Sequence, residues 1–184
     1  MQKLIERVKA ILLAPEGEWP IIAKEPDSAR ELLFGYVALL ALIPTLAGFV
    51  GSWLIGGYIS FLSGLLGALL GYLLVFLAVV IVAIAMNALA PIFLAQRNFL
   101  NAIKVTVYSY TPVWLAGVFL LIPGLTYLTV IGLYGAYLLW LGLSGLMQAP
   151  RDKALPYAAA VLAVALVVAI VAEAVEIAVV GRTR

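Results

Sequence analysis

The chain has 184 residues, of which 66% are hydrophobic and 11% charged, with a net charge of +2 and a mean hydropathy of +1.17. A water-soluble domain is about 45–50% apolar and about 25% charged, and so short a chain cannot hide this much oily surface from water. Composition therefore excludes the soluble class, and also disorder, which needs low hydrophobicity and high charge. What remains is an all-α polytopic transmembrane bundle of one domain.

Residues 1–31 form a segment apart from the spans. Leu4, Ile5, Val8, Ile11 and Leu12 recur at helical spacing on one face, with Lys3, Glu6, Arg7 and Lys9 largely on the other. The spacing predicts an amphipathic helix, ended by Pro15, lying in the membrane interface or packed on the loops beside it. No continuous apolar core marks a signal peptide. Trp19 fits an interfacial aromatic anchor. Ser28 with Glu31 three residues later has capping-box spacing and starts the first span.

A helix needs about 20 apolar residues to cross the hydrocarbon layer, and five stretches qualify: Leu32–Ile55, Ser60–Met86, Asn101–Leu121, Leu125–Met147 and Pro156–Val180. They are too long and uniform for barrel strands. Residues 32–180 thus make a five-helix membrane domain, and 181–184 a short outward tail. Short links favour antiparallel neighbours.

Within the first span Pro44 predicts a kink. In the second, Gly67 and Gly71 form a GxxxG pair, and Asn87 near its end reads as a helix-end cap or a polar site. The third span is the least lipid-like. Lys104, Tyr108 and Thr111 fall on one face at steps of four and three. Pro112 frees the carbonyl of Tyr108 and bends the helix. Two readings stand for this span: an interhelical hydrogen-bond layer, or a substrate or ion path. In the fourth, Gly132, Gly135, Gly142 and Gly145 lie along one stripe, suited to packing within the bundle or to a dimer face. In the fifth, Glu173 and Glu176 are the only acidic residues inside any span. Glu173 lies roughly 25 Å along the helix from Pro156. It reads as a solvated helix end or, with Glu176, as a cation or proton site.

With the N-terminus inside, the short inner segments carry Lys24, Arg30, Arg97, Lys104, Arg151 and Lys153, and the two outer loops carry no Lys or Arg. Only Arg182 and Arg184 count the other way. The positive-inside rule then predicts a cytoplasmic N-terminus and an outward C-terminus in the cell membrane. No Cys and no His are present, which removes thiolate chemistry, the commonest metal ligand and the usual neutral-pH base. No cofactor or metal is expected. The scattered positive charge does not indicate nucleic acid. No HExxH, GxSxG or Walker loop occurs. Lys104 with Ser109, five residues apart on one helix, is poor geometry for an intramembrane hydrolase, so the protein reads as a non-enzyme.

Tyr108-Ser109-Tyr110-Thr111-Pro112, then Ile122-Pro123-Gly124, then Leu133-Tyr134-Gly135-Ala136-Tyr137-Leu138-Leu139-Trp140-Leu141-Gly142-Leu143 together resemble the Yip (Ypt-interacting protein) domain family. So does the opening, Ile11-Leu12-Leu13-Ala14-Pro15 with Glu18-Trp19, which is similar to prokaryotic members. The resemblance covers nearly the whole chain and implies five spans, a cytoplasmic N-terminus and an outward C-terminus. In eukaryotic relatives it implies a role in vesicle traffic and association with prenylated small GTPases and with other copies. Their Asp-Leu-Tyr-Gly-Pro signature does not occur here, so GTPase binding is not carried over. The expected function is a membrane-organising or partner-binding scaffold, acting on the lipid bilayer, a homo-oligomer or other membrane proteins. The alternative is a small transporter or channel for an ion or small solute.

Overall fold

A computed structural model describes residues 2–57 and 59–180. Among these residues the structure is helical, with no strand. Two short helices come first, α1 (Gln2–Leu13) and α2 (Pro15–Lys24). Five long apolar helices follow: α3 (Ala29–Ile55), α4 (Phe61–Phe93), α5 (Phe99–Leu121), α6 (Pro123–Gly145) and α7 (Arg151–Val180). The expected tail 181–184, with Arg182 and Arg184, lies outside the described residues.

Local chemistry sets the ends. Pro15 closes α1 and opens α2 as its first residue, where its missing N–H costs nothing. The capping box is present at α3: the Glu31 amide donates to Ser28 Oγ at 3.2 Å, and the Ser28 amide donates to Glu31 Oε2 at 2.9 Å. Helix α7 begins five residues before Pro156, at Arg151. The carbonyl that Pro156 leaves free belongs to exposed Asp152, so water satisfies it and the helix continues.

The spans are not uniform α-helices. Helix α3 carries π-type stretches at Leu32–Val37 and Gly51–Ile55. It runs on through Pro44, whose ring seats against Gly117 of α5; a Cβ on Gly117 would stand 2.5 Å from the Pro44 Cβ. Helix α5 breaks at Tyr110, restarts at Thr111-Pro112 and tightens to a 3-10 helix over Gly117–Leu121. The interruption falls just before Pro112. The first half of α6, Pro123–Leu133, is also 3-10 before the helix relaxes to α at Tyr134.

Helix α5 is the axis of the bundle. Its most apolar window is 67% buried, against 11% for α7. Every residue from Ala102 to Ser109 is buried. The polar span thus lies inside, where the Lys104 amine and the Thr111 hydroxyl meet partners on other segments, while Thr106 bonds back to the Ala102 carbonyl of its own helix. The most apolar spans, α4 and α7, lie against each other and face outward, with Leu166, Val167, Ile170, Val171 and Ile177 of α7 more than half exposed. Contiguous apolar surface on this scale is incompatible with water and matches lipid.

Candidate functional site

The polar face of α5 meets the N-terminal segment. Lys104 is 2% exposed. Its Nζ donates to the Ile22 carbonyl at 2.9 Å and the Glu25 carbonyl at 2.6 Å. These carbonyls belong to the end of α2, where unpaired C=O groups carry partial negative charge. Lys104 is therefore the C-terminal cap of α2, delivered by another helix.

Arg7 of α1 completes this cluster. It pairs with Glu18 and Glu25, and its guanidinium lies 5.9 Å from the centre of the Tyr108 ring. Burial pulls the Arg7 pKa down, but Glu25, Tyr108 and Glu18 together raise it further, so the net direction is up. Tyr108 is ringed by Trp19, edge-on at 6.3 Å, and Tyr36, edge-on at 5.0 Å. The Tyr36 hydroxyl and Thr111 Oγ1 share a hydrogen bond of 2.8 Å. Asp27 Oδ2 is buried with no hydrogen-bond partner.

Trp19 is placed otherwise than expected. It is 2% exposed and wedged against α6, so its ring packs on protein. A Cβ on Gly142 would stand 2.9 Å from its ring, and one on Gly145 3.6 Å from its Cβ. The other two glycines of that stripe face α5: a Cβ on Gly132 would meet Val113 at 3.1 Å, and one on Gly135 the Ser109 carbonyl at 2.4 Å. Gly132, Gly135 and Gly142 are therefore buried within the chain, while Gly145 touches Trp19 but stays exposed. The amphipathic helix divides its apolar face as well. Ile11 is buried and Leu4, Val8 and Leu12 pack on the core, while Ile5 and Leu13 stay exposed.

Glu173 and Glu176 lie at the opposite end of the bundle. Glu173 is exposed and Glu176 half-buried. The GxxxG pair makes room for Glu176: a Cβ on Gly67 would stand 3.2 Å from its Oε1, and one on Gly71 3.3 Å from its Oε2. Both carboxylates line a cavity of about 380 Å³ with Ser52, Ser63 and Phe49. No residue of the Lys104 cluster lines it. Asn87 stands apart from both groups, with its Oδ1 buried and unpartnered, so that oxygen caps no helix end.

The structure thus brings together Lys104, Tyr108, Thr111 and Trp19, and keeps them from Glu173 and Glu176. Sequence reasoning missed Arg7, Glu18, Glu25 and Tyr36 as members. A signal for Arg7 was present. It lies three residues after Leu4 and four before Ile11, at the edge of the apolar stripe rather than opposite it.

A model of the Yip1 domain matches residues 9–172. The inner membrane protein YohC of Escherichia coli K12 is 24% identical over 166 residues, covering 84% of this chain and 85% of its own length. YohC of E. coli O6:H1 matches to the same extent. No solved structure matches with significance. The matched stretch runs from α1 into α7 and holds every residue of the Lys104 cluster except Arg7, and the chain belongs to the Yip1 domain family.

Proposed function

We propose that this integral membrane protein is a non-enzymatic scaffold that organises the bilayer or binds partner proteins, with its N-terminus in the cytoplasm and its C-terminus outside. The observation that carries this reading is the closure of the polar face of α5 by α1 and α2. Lys104 is held by backbone carbonyls, and Tyr36 by Thr111. A group so engaged is neither a free base for Ser109 nor a step in an ion path. Six Lys and Arg at the inner segments support the orientation, and the name of YohC supports the inner membrane as the location.

A scaffold works through surface that its own fold leaves over. Here that surface is the outer side of the N-terminal cap, where Ile5, Leu13 and Ile21 are exposed beside Lys3, Glu6 and Lys9. Ile5→Ser/Leu13→Ser/Ile21→Ser keeps the buried stripe and removes this patch. Proximity labelling in intact cells then loses its neighbours while the protein stays folded in the membrane. An unchanged set of neighbours overturns the reading.

One observation favours a small transporter instead: Glu176 is half-buried on the two glycines Gly67 and Gly71, in a span where carboxylates are costly. Proton or monovalent-cation flux into proteoliposomes that disappears in Glu173→Gln/Glu176→Gln establishes that reading and displaces the scaffold.

A further inference from the structure

A second cavity, of about 450 Å³, lies between α4, α5, α6 and α7. Its deep wall is made of buried Val82, Met86, Thr106, Ser109, Leu139 and Val161, and its rim includes the exposed Tyr127, Val130 and Leu133 of α6. Such a rim, on a membrane span, opens sideways into lipid. The lining of α6 runs from Tyr127 to Leu139, about 12 Å of 3-10 rise followed by about 9 Å of α rise. The space is therefore long as well as narrow, and its volume falls in the range of small-molecule sites.

Ser109 is the one buried hydroxyl in that wall with no partner. It is 5% exposed. Thr45, Thr106 and Ser144 each donate to the carbonyl four residues back, as span hydroxyls commonly do. Ser109 does not. It stands where α5 breaks, and the close approach of Gly135 to its carbonyl presses α6 against this turn. A buried donor left unpaired is costly, and a ligand that accepts its hydrogen bond recovers that cost.

Among the described residues, no Asp, Glu, Lys or Arg lines the cavity. A charged headgroup there would be desolvated without a counter-charge. The lining, the sideways opening and the orphan donor together define one chemistry. We infer that this cavity binds an uncharged, elongated apolar molecule drawn from the bilayer, with a carbonyl-type acceptor placed at Ser109. This site is independent of the scaffold reading and of the Glu176 end.

The test uses the full chain in lipid nanodiscs and a medium-chain methyl ketone carrying a diazirine on its tail. Photolysis is expected to label α4 around Val82 and Met86 and α7 around Val161 and Ala165. Unlabelled ketone competes, whereas the alkane and the carboxylate of equal length do not. Ser109→Ala weakens the ketone by about 5–10-fold, the effect of one hydrogen bond. The carbonyl stretch of the bound ketone also loses its hydrogen-bonded shift in that variant. Ala165→Trp, which fills the space without touching Ser109, abolishes labelling. Equal competition by the alkane, stronger competition by the carboxylate, labelling only outside these segments, or an affinity unchanged in Ser109→Ala each overturn the proposal.

Discussion

The two ends of the bundle hold ionisable groups in different ways. At the N-terminal end buried Lys104 is held by two backbone carbonyls, with Arg7 bridging two carboxylates nearby. At the far end Glu173 and Glu176 line a cavity to which, among the described residues, no Lys or Arg contributes. One end spends its polar groups on joining the N-terminal segment to the spans. The other leaves Glu173 exposed and Glu176 half-buried beside two glycines. Burial with complete partners signals structure, and exposure on a span signals either an end or a site.

The sharpest way to break this comparison is to remove the wedge. Trp19→Ala deletes a buried ring from between Tyr108 and Gly142, and is expected to cost about 3–5 kcal/mol. Thermal unfolding in detergent measures the loss, and limited proteolysis shows α1 and α2 released. A wild-type melting curve would mean that the N-terminal segment does not depend on this contact. Lys104→Met comes next. It keeps the stem and removes the amine, so the Glu25 carbonyl loses the Lys104 donor and the Ile22 carbonyl keeps only the Glu25 amide. The expected cost is about 2–3 kcal/mol, read by the same melt, with faster hydrogen exchange confined to α2 and its junction with α3.

The five spans were legible because length and hydropathy alone define a membrane helix. The inward placement of α5 was legible because lipid tolerates no run of Lys, Thr, Tyr and Ser. The N-terminal end was harder. Trp19 reads as an interface anchor in one dimension, since Trp favours that depth. What places it inside is the pair Gly142 and Gly145, more than a hundred residues away, and no local pattern records which ring fills a glycine notch. Lys104 posed the same difficulty: its partners are backbone carbonyls, which every residue carries. The 3-10 half of α6 left no signal either, because its residues differ little from those of an ordinary apolar helix.

Gly142→Ala sharpens the comparison from the other side of the wedge. Its added methyl would stand 2.9 Å from two ring carbons of Trp19 and 3.0 Å from Val105 Cγ1. A ring packed on its far side against Tyr108 has little room to retreat. The expected cost is about 1–3 kcal/mol. Combined with Trp19→Ala the cost shrinks, because the clash disappears with the ring. A double-mutant cycle measures that coupling, and strict additivity would mean that the two residues do not share the contact.

The smallest effects belong to the far end. Glu176→Gln replaces a half-buried carboxylate with an amide of the same shape, and stability should change by no more than about 0.5 kcal/mol. Gly71→Ala places a methyl 3.3 Å from Glu176 Oε2, looser than the 2.9 Å at Gly142, and the neighbour is the tip of a flexible side chain at the edge of a cavity. That carboxylate swings aside, and the gain in helix propensity, up to about 1 kcal/mol, offsets the contact. Gly71→Ala is thus expected to be neutral or slightly stabilising where Gly142→Ala destabilises. If Gly71→Ala instead unfolds the protein as Gly142→Ala does, Glu176 is held as rigidly as Trp19, and the far end is a built site rather than a solvated helix end.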